Sequence, residues 1–233
     1  MCPNFFKYFS CLTFLLLSPL LIRGQTIAGY QVAGYTYSDI ADEVNDPQSP
    51  FYYPKLLQKY YNDTARLTKK EILFLYYGFA ARPEYNPYRH RILEDSLYRL
   101  IDKQLLYKAE VLADSLLHLN PLSMFGNVAK GVITSMRLDT LNTQKHIRRY
   151  QIVLDAIFTS GEGRSYENAM HVISPKDAEA VLYRFNLKSL SKSFNGYQGN
   201  YYDVHIARSE DGRREFPVYF NVTLPYKIGL PKR

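Results

Sequence analysis

The sequence predicts a mainly helical protein with a small α+β part at its C-terminus. Three observations carry that reading. Apolar residues recur at helical spacing through about residues 91–160. Proline and capping residues punctuate that run at intervals suited to helix ends. Beyond Gly163 the pattern changes to short runs of alternating polarity, the period of strands.

The chain opens with one basic residue, Lys7, ahead of an almost unbroken apolar run at residues 12–22. A membrane-spanning helix needs about 20 apolar residues, so this run is short for that purpose. A basic start, a short apolar core and the small residue Gly24 describe a secretory signal peptide over residues 1–24, with Gln25 first in the mature chain. The competing reading is an uncleaved membrane anchor. Cys11 precedes the apolar core, which leaves no cysteine for lipid attachment at a processed end. Export implies a periplasmic or secreted protein with no stable membrane span after processing.

Cys2 and Cys11 are the only cysteines and both lie in the signal, so the mature chain has none. Disulfides, thiolate chemistry and cysteine metal sites are thereby excluded. The remaining length suffices for one large domain or two small ones. Net charge falls from +7 to +5 when Lys7 and Arg23 are removed. The densest basic cluster is Lys145, His146, Arg148 and Arg149, and it reads as one solvated helix face. No nucleic-acid motif accompanies it, so nucleic acid is not an expected partner. Tyrosine is the compositional outlier, with 22 Tyr and no Trp. Its ring can be buried while its hydroxyl finds a partner, which suits core edges and binding faces.

Along the chain, residues 25–36 lack periodicity and read as a flexible leader. Ser38 can cap a short helix to about Val44, and Pro54 suits the first turn of a helix ending near Tyr61. Thr68-Lys69-Lys70-Glu71 matches a capping box. The helix that follows, residues 72–79, is apolar on nearly every face and is expected to be buried all round. Residues 84–88 form a loop rich in Asn, Pro and Tyr. Three apolar stripes follow: Leu105, Ala109, Leu112, Leu116 and Leu119; then Phe125, Ala129, Val132 and Met136; then Ile147, Tyr150, Leu154 and Ile157. Ser160-Gly161-Glu162-Gly163 ends the helical region, assigned to residues 37–160. In the α+β region, residues 161–233, residues 169–173 suit a buried strand and Ser174-Pro175-Lys176-Asp177 starts a helix. Residues 189–200 read as a loop. A β-hairpin ends the region, with Ile206 opposite Phe216, Val204 opposite Val218 and Tyr202 opposite Phe220 around a three-residue Glu210-Asp211-Gly212 turn.

The Leu119-Asn120-Pro121 break, with small Ala129 in the following helix, is similar to the tetratricopeptide pattern of stacked helix pairs. A plain helical bundle is the alternative. A wider resemblance rests on a set of short motifs in one order: Tyr53-Pro54-Lys55-Leu56, Leu75-Tyr76-Tyr77-Gly78-Phe79, Tyr85-Asn86-Pro87-Tyr88, Ser160-Gly161-Glu162-Gly163, His171-Val172-Ile173 and Tyr219-Phe220-Asn221-Val222. Together they resemble the exported bacterial family catalogued as domain of unknown function 4919, over about residues 38–228. The resemblance implies a Gram-negative source, a signal peptide and a tetratricopeptide-like helical region, and it implies no catalytic residues.

The five mature histidines, His90, His118, His146, His171 and His205, show no metal-binding spacing, so no metal or cofactor is expected. The glycines at 161 and 163 follow a helix and precede a strand, the reverse of a phosphate-binding loop. There is no Gly-x-Ser-x-Gly elbow. Asn62-Asp63-Thr64 and Asn221-Val222-Thr223 match a glycosylation sequon that is uninformative in a bacterium. The function expected is a non-catalytic scaffold for a protein or peptide partner in the cell envelope. Tyr77, Asn86 and Tyr88, in the Tyr- and Pro-rich segment, and His171, which interrupts an apolar strand, are its candidate ligand-binding residues. The alternative is a cell-envelope hydrolase with a pocket around His171.

Overall fold

The computed structural model describes residues 29–62 and 66–229. The expected signal segment, Gln25, both cysteines, and Asp63 and Thr64 of the first sequon lie outside the described residues. The described chain opens with a hairpin in place of the expected flexible leader. Strands β1 (Gln31–Val32) and β2 (Tyr35–Thr36) are antiparallel. Ala33 and Gly34 join them with φ of 51° and 82°, the positive-φ pair that a two-residue hairpin requires. Tyr30 and Val32 are buried in the main core. Strands this short have no period to detect, which is why the sequence pattern misses them.

Three short helices follow. Helix α1 (Tyr37–Asn45) starts ahead of Ser38 and has no side-chain cap. Helix α2 (Tyr53–Tyr61) carries Pro54 in its first turn, and α3 (Lys69–Phe79) begins with the complete Thr68–Glu71 capping box. Residues 73–79 are buried without a break, as a helix apolar on all faces must be.

Helices α4 (Arg91–Asp102), α5 (Leu106–Leu119), α6 (Met124–Met136) and α7 (Thr140–Ser160) come next. Ser123 caps α6 through Gly126 N–H and Asp139 caps α7 through Asn142 N–H. Two expected stripes hold only in part: Ala129, Leu154 and Ile157 are buried as expected, but neighbouring positions are not. Val132, Met136 and Ile147 are exposed, while Ile133, Thr134, His146 and Arg149 turn inward. Leu105 is exposed at the start of α5, whose buried stripe is Ala109, Ala113 and Leu116. A shift of one residue rotates a helical face by about 100°. Polar contacts made across the helices choose the face here, so the Lys145–Arg149 cluster is half buried and not the solvated surface its composition suggests.

The C-terminal part holds β3 (Met170–His171), α8 (Pro175–Arg184), β4 (Lys188–Tyr197), β5 (Asn200–Arg208), β6 (Glu215–Asn221) and α9 (Thr223–Ile228). The four strands lie in the order β3-β6-β5-β4, with β3 parallel to β6 and the others antiparallel. Most of the expected 189–200 loop is strand β4, paired with β5 through a Gln198-Gly199 turn with φ of 47° and 77°. Ladder hydrogen bonds hold this edge strand. Its side chains are mostly exposed, so it has no apolar pattern.

The β5–β6 register also differs by one residue. Ile206 faces Pro217, Val204 faces Tyr219 and Tyr202 faces Asn221, around a loop at 209–214. Both faces of this pair are covered. Ala207, Val218 and Phe220 enter the main core. Tyr202 and Val204 meet a separate cluster with Ala169, Tyr166, Tyr197 and Tyr219. A strand pair buried on two sides gains nothing from collecting its apolar residues on one. The observed register also pairs Arg208 with Glu215 at 2.6 Å, where the expected one would oppose Arg208 with Arg214.

The main core runs from α1–α3 through α7 into β3, α8 and the sheet, so it is continuous across residue 160. A second core joins α4, α5 and α6 through Leu97, Ala109, Ala113, Leu116, Ala129 and Ile133. No helix among the described residues is long and apolar enough to cross a membrane.

Candidate functional site

Of the four residues singled out in the sequence, the fold joins two. Tyr77 is fully buried, and its hydroxyl donates to the His171 carbonyl at 3.1 Å. Burial pushes its phenol up, so it stays protonated. The His171 ring lies 2.7 Å through Nδ1 from the Tyr30 hydroxyl, and desolvation lowers its pKa to about 4. Asn86 and Tyr88 are half-buried in the loop before α4 and hydrogen-bond to neither. The Asn86 side chain accepts from Arg89 N–H at 3.0 Å, which makes it a turn staple. Burial raises the Tyr88 pKa, with Asp203 and Tyr226 nearby.

The aromatic segment has a structural task. Beyond its pairing with β6, β3 has an outer edge with no strand against it among the described residues. Tyr77 donates to His171 O, Tyr85 donates to Ile173 O at 2.6 Å, and Ile173 N–H donates to the Tyr76 hydroxyl at 3.2 Å. The Ser160 hydroxyl accepts from His171 N–H at 2.8 Å. Side chains from α3, α7 and the loop therefore satisfy the backbone groups that an added strand would take.

A concave polar cleft of about 460 Å³ lies between α5, α6 and α7. Glu110, Asp114 and His118 share one face of α5; Lys130, Thr134 and Arg137 share one face of α6; Asn142, Lys145, His146 and Arg149 share one face of α7. Ion pairs fix the first two walls. Lys130 sits 3.1 Å from Glu110 and 2.8 Å from Asp114, and Arg137 sits 2.6 Å from Glu110. The Arg149 guanidinium lies over the Tyr61 ring at 4.9 Å.

His146 is among the most buried polar groups of the cleft, at 6% exposure. Its Nδ1 lies 3.0 Å from Asn127 Oδ1. The Asn127 amide nitrogen donates to the Ser123 carbonyl at 3.0 Å, which fixes the amide orientation, because a carbonyl only accepts. Nδ1 therefore carries the proton and Nε2 the lone pair. Burial lowers the imidazole pKa to about 4, with Arg149, Lys130 and Lys145 adding positive charge. The ring stays neutral near pH 7, and Nε2 has no hydrogen-bond partner among the described residues. The sequence reading missed this site. Its available signal was the polar set 142, 145, 146 and 149, recurring at the spacing of a buried helix face.

A second cavity, about 610 Å³ and largely apolar, lies between α7, α8 and β6, lined by Phe158, Met170, Leu182, Phe185, Phe216 and Val218 among others. Tyr77, Asn86, Tyr88 and His171 line neither cavity. A Ser–His contact occurs at the β4 bulge, where Ser189 Oγ lies 2.9 Å from His205 Nδ1. The far nitrogen, His205 Nε2, is buried without a partner among the described residues, so none of their acids orients this ring. No group of His, Asp, Glu or Cys among the described residues has metal-binding geometry.

No curated protein and no solved structure matches the chain. A family model does match it, over residues 38–229, which include α1 to α9 but for the first residue of α1. The chain belongs to the family described as Domain of unknown function (DUF4919).

Proposed function

We propose that the protein is an exported, non-catalytic interaction protein of the cell envelope that receives a peptide or protein segment in the α5–α7 cleft. The observation that carries this reading is His146, a buried imidazole held in one tautomer with an unfilled acceptor in a concave site. Orientation of this kind suits recognition, because a ligand hydrogen bond forms without reordering the side chain. Sequential packing of α5, α6 and α7 supports the tetratricopeptide-like reading. Lys7, the apolar run at 12–22 and Gly24 support export to the periplasm or beyond.

The hydrolase reading has less support. The His171 ring meets the Tyr30 phenol, where a hydrolytic histidine needs an orienting carboxylate. The interaction reading is tested with a photo-crosslinker at position 142, inside the cleft, and at position 108, on the exposed side of α5, in the full chain expressed in its own cell. A discrete adduct from 142 alone is expected. Equal adducts from both positions, or none from 142, would overturn the reading. Mass spectrometry of the same material checks export through an N-terminus near Gln25.

A further inference from the structure

The cleft has a polarity that narrows its ligand. Nε2 of His146 is a lone pair, so the atom facing it must be a hydrogen-bond donor. An ammonium donor is disfavoured, because Arg149, Lys130 and Lys145 all act on this ring with positive charge and Asp114 offsets them only in part. A bare carboxylate is disfavoured for the opposite reason, since its oxygens would meet the Nε2 lone pair. The cleft calls for a neutral donor with a negative charge close beside it.

The cations around the ring are not equivalent. Lys130 is held by Glu110 and Asp114, and Arg137 by Glu110. Asp139 is occupied as the α7 cap, accepting from both the N–H and the side-chain amide of Asn142. Lys145, one residue before His146 and lining the same cleft, makes no ion pair with a described residue. Acceptor and cation thus line one cavity, and the Lys145 charge is close enough to act on the His146 ring.

From this geometry we infer that the cleft takes the C-terminal residue of a peptide, its amide N–H donating to Nε2 of His146 and its α-carboxylate set against Lys145. A chain terminus is the part of a peptide that carries a neutral N–H and a full negative charge on either side of one carbon. Interior peptide groups have the donor without the charge. The inference rests on the interaction reading and specifies which part of a partner enters the cleft. A cavity of about 460 Å³ falls within the size range of ligand pockets.

The test uses the mature protein and a degenerate N-acetylated hexapeptide pool in two forms, free acid and C-terminal amide, with acetate as a third probe. Fluorescence anisotropy reads affinity, and the nitrogen-15 shift of the His146 ring reports whether Nε2 is engaged. The free-acid pool should bind at least tenfold more tightly than the amide pool and move the Nε2 resonance. Lys145→Gln should remove most of that preference, and it alters a partly exposed side chain, so the fold is retained even if His146→Gln fails to fold. Equal binding of acid and amide would overturn the terminus assignment and leave the interaction reading standing. Acetate matching the peptide acid in both readouts would overturn it too, by showing a bare anion site. Binding of neither pool at millimolar peptide would overturn both.

Discussion

The Tyr85 hydroxyl donates to the Ile173 carbonyl at 2.6 Å, across 88 residues of chain. With Tyr76 and Tyr77 it closes the outer edge of β3 by side chains alone. Tyr85→Phe keeps the ring and removes the donor, leaving a buried carbonyl without its partner. The expected loss is about 1–3 kcal/mol in urea unfolding. Tyr98→Phe, on an exposed ring, should stay within about 0.5 kcal/mol. Equal effects from the two would mean that the β3 edge is satisfied by other means.

Two buried acids set the alkaline limit of stability. Burial, reinforced by the like charge of Asp177, raises Glu94 from an ordinary 4.5 to about 8. Burial raises Asp177 from 3.8 to about 7, against the lowering effect of the Tyr76 hydrogen bond. Glu94 Oε2 has no partner among the described residues. Lys176 faces Glu94 with one positive charge, but Glu179 and Asp95 add to the negative side. The folded chain keeps protons that the unfolded chain releases, so these acids erode stability as pH rises from about 4 to 8. His146 and His171, lowered to about 4 by burial, act in the opposite sense as pH falls from 6.5. Between pH 6.5 and 8 the acids outweigh the last of the opposing histidine titration, to which His90 and His205 also contribute, and melting temperature should decline toward pH 8. Glu94→Gln should recover about 1–2 kcal/mol of that decline, since one pKa unit corresponds to about 1.4 kcal/mol. Melts at pH 6.5 and 8 check this, and an unchanged slope in the variant would rule it out.

Gly161, at the end of α7, shows where a single methyl group cannot be placed. A Cβ there would lie 2.2 Å from the Ala169 carbonyl oxygen, a backbone atom that cannot turn aside. Gly161→Ala should cost about 1–3 kcal/mol or more, as overpacking does. Gly196→Ala in β4 meets nothing nearer than 4.0 Å and should be close to neutral. Denaturant midpoints compare the two, and similar midpoints would contradict the close approach.

What the sequence makes legible is local. The Thr68–Glu71 box and the Ser174-Pro175 start are complete within a few residues, and both begin helices as expected. Residues 73–79 are apolar on every face, so their burial needs no knowledge of their neighbours. His146 is different: its inward orientation depends on Asn127, whose amide reaches Ser123 and the Tyr60 hydroxyl. None of that is encoded near position 146. Tyr77 stands out as an aromatic residue in a dense cluster, yet its task is to satisfy a carbonyl 94 residues away. Strand β4 escapes because an exposed edge held by main-chain bonds has no side-chain period.

The β5–β6 register is the sharpest disagreement between pattern and structure, and it can be settled chemically. Arg208 stands opposite Glu215, with their side chains paired at 2.6 Å. The apolar-face register would instead set Arg208 opposite Arg214. A disulfide needs Cβ atoms about 3.5–4.5 Å apart, so it distinguishes directly opposed residues from those offset by one, which point to the other face. Cys2 and Cys11 are the chain's only cysteines, and a protein made without residues 1–24 offers a background free of competing thiols. All three positions are at least partly exposed near the end of the hairpin, so substitution there should disturb little. The protein lacking residues 1–24, with Arg208→Cys and Glu215→Cys, should oxidise readily to an internal disulfide, seen as a loss of two mass units and two titratable thiols. The chain with Arg208→Cys and Arg214→Cys should remain reduced under the same mild oxidant. Because the bridge closes a loop of only about eight residues, its stabilisation should be modest, about 2–3 kcal/mol. Preferential oxidation of the 208–214 pair would show that the strands settle in the apolar-face register after all, and would remove the Arg208–Glu215 ion pair as the reason for the slip.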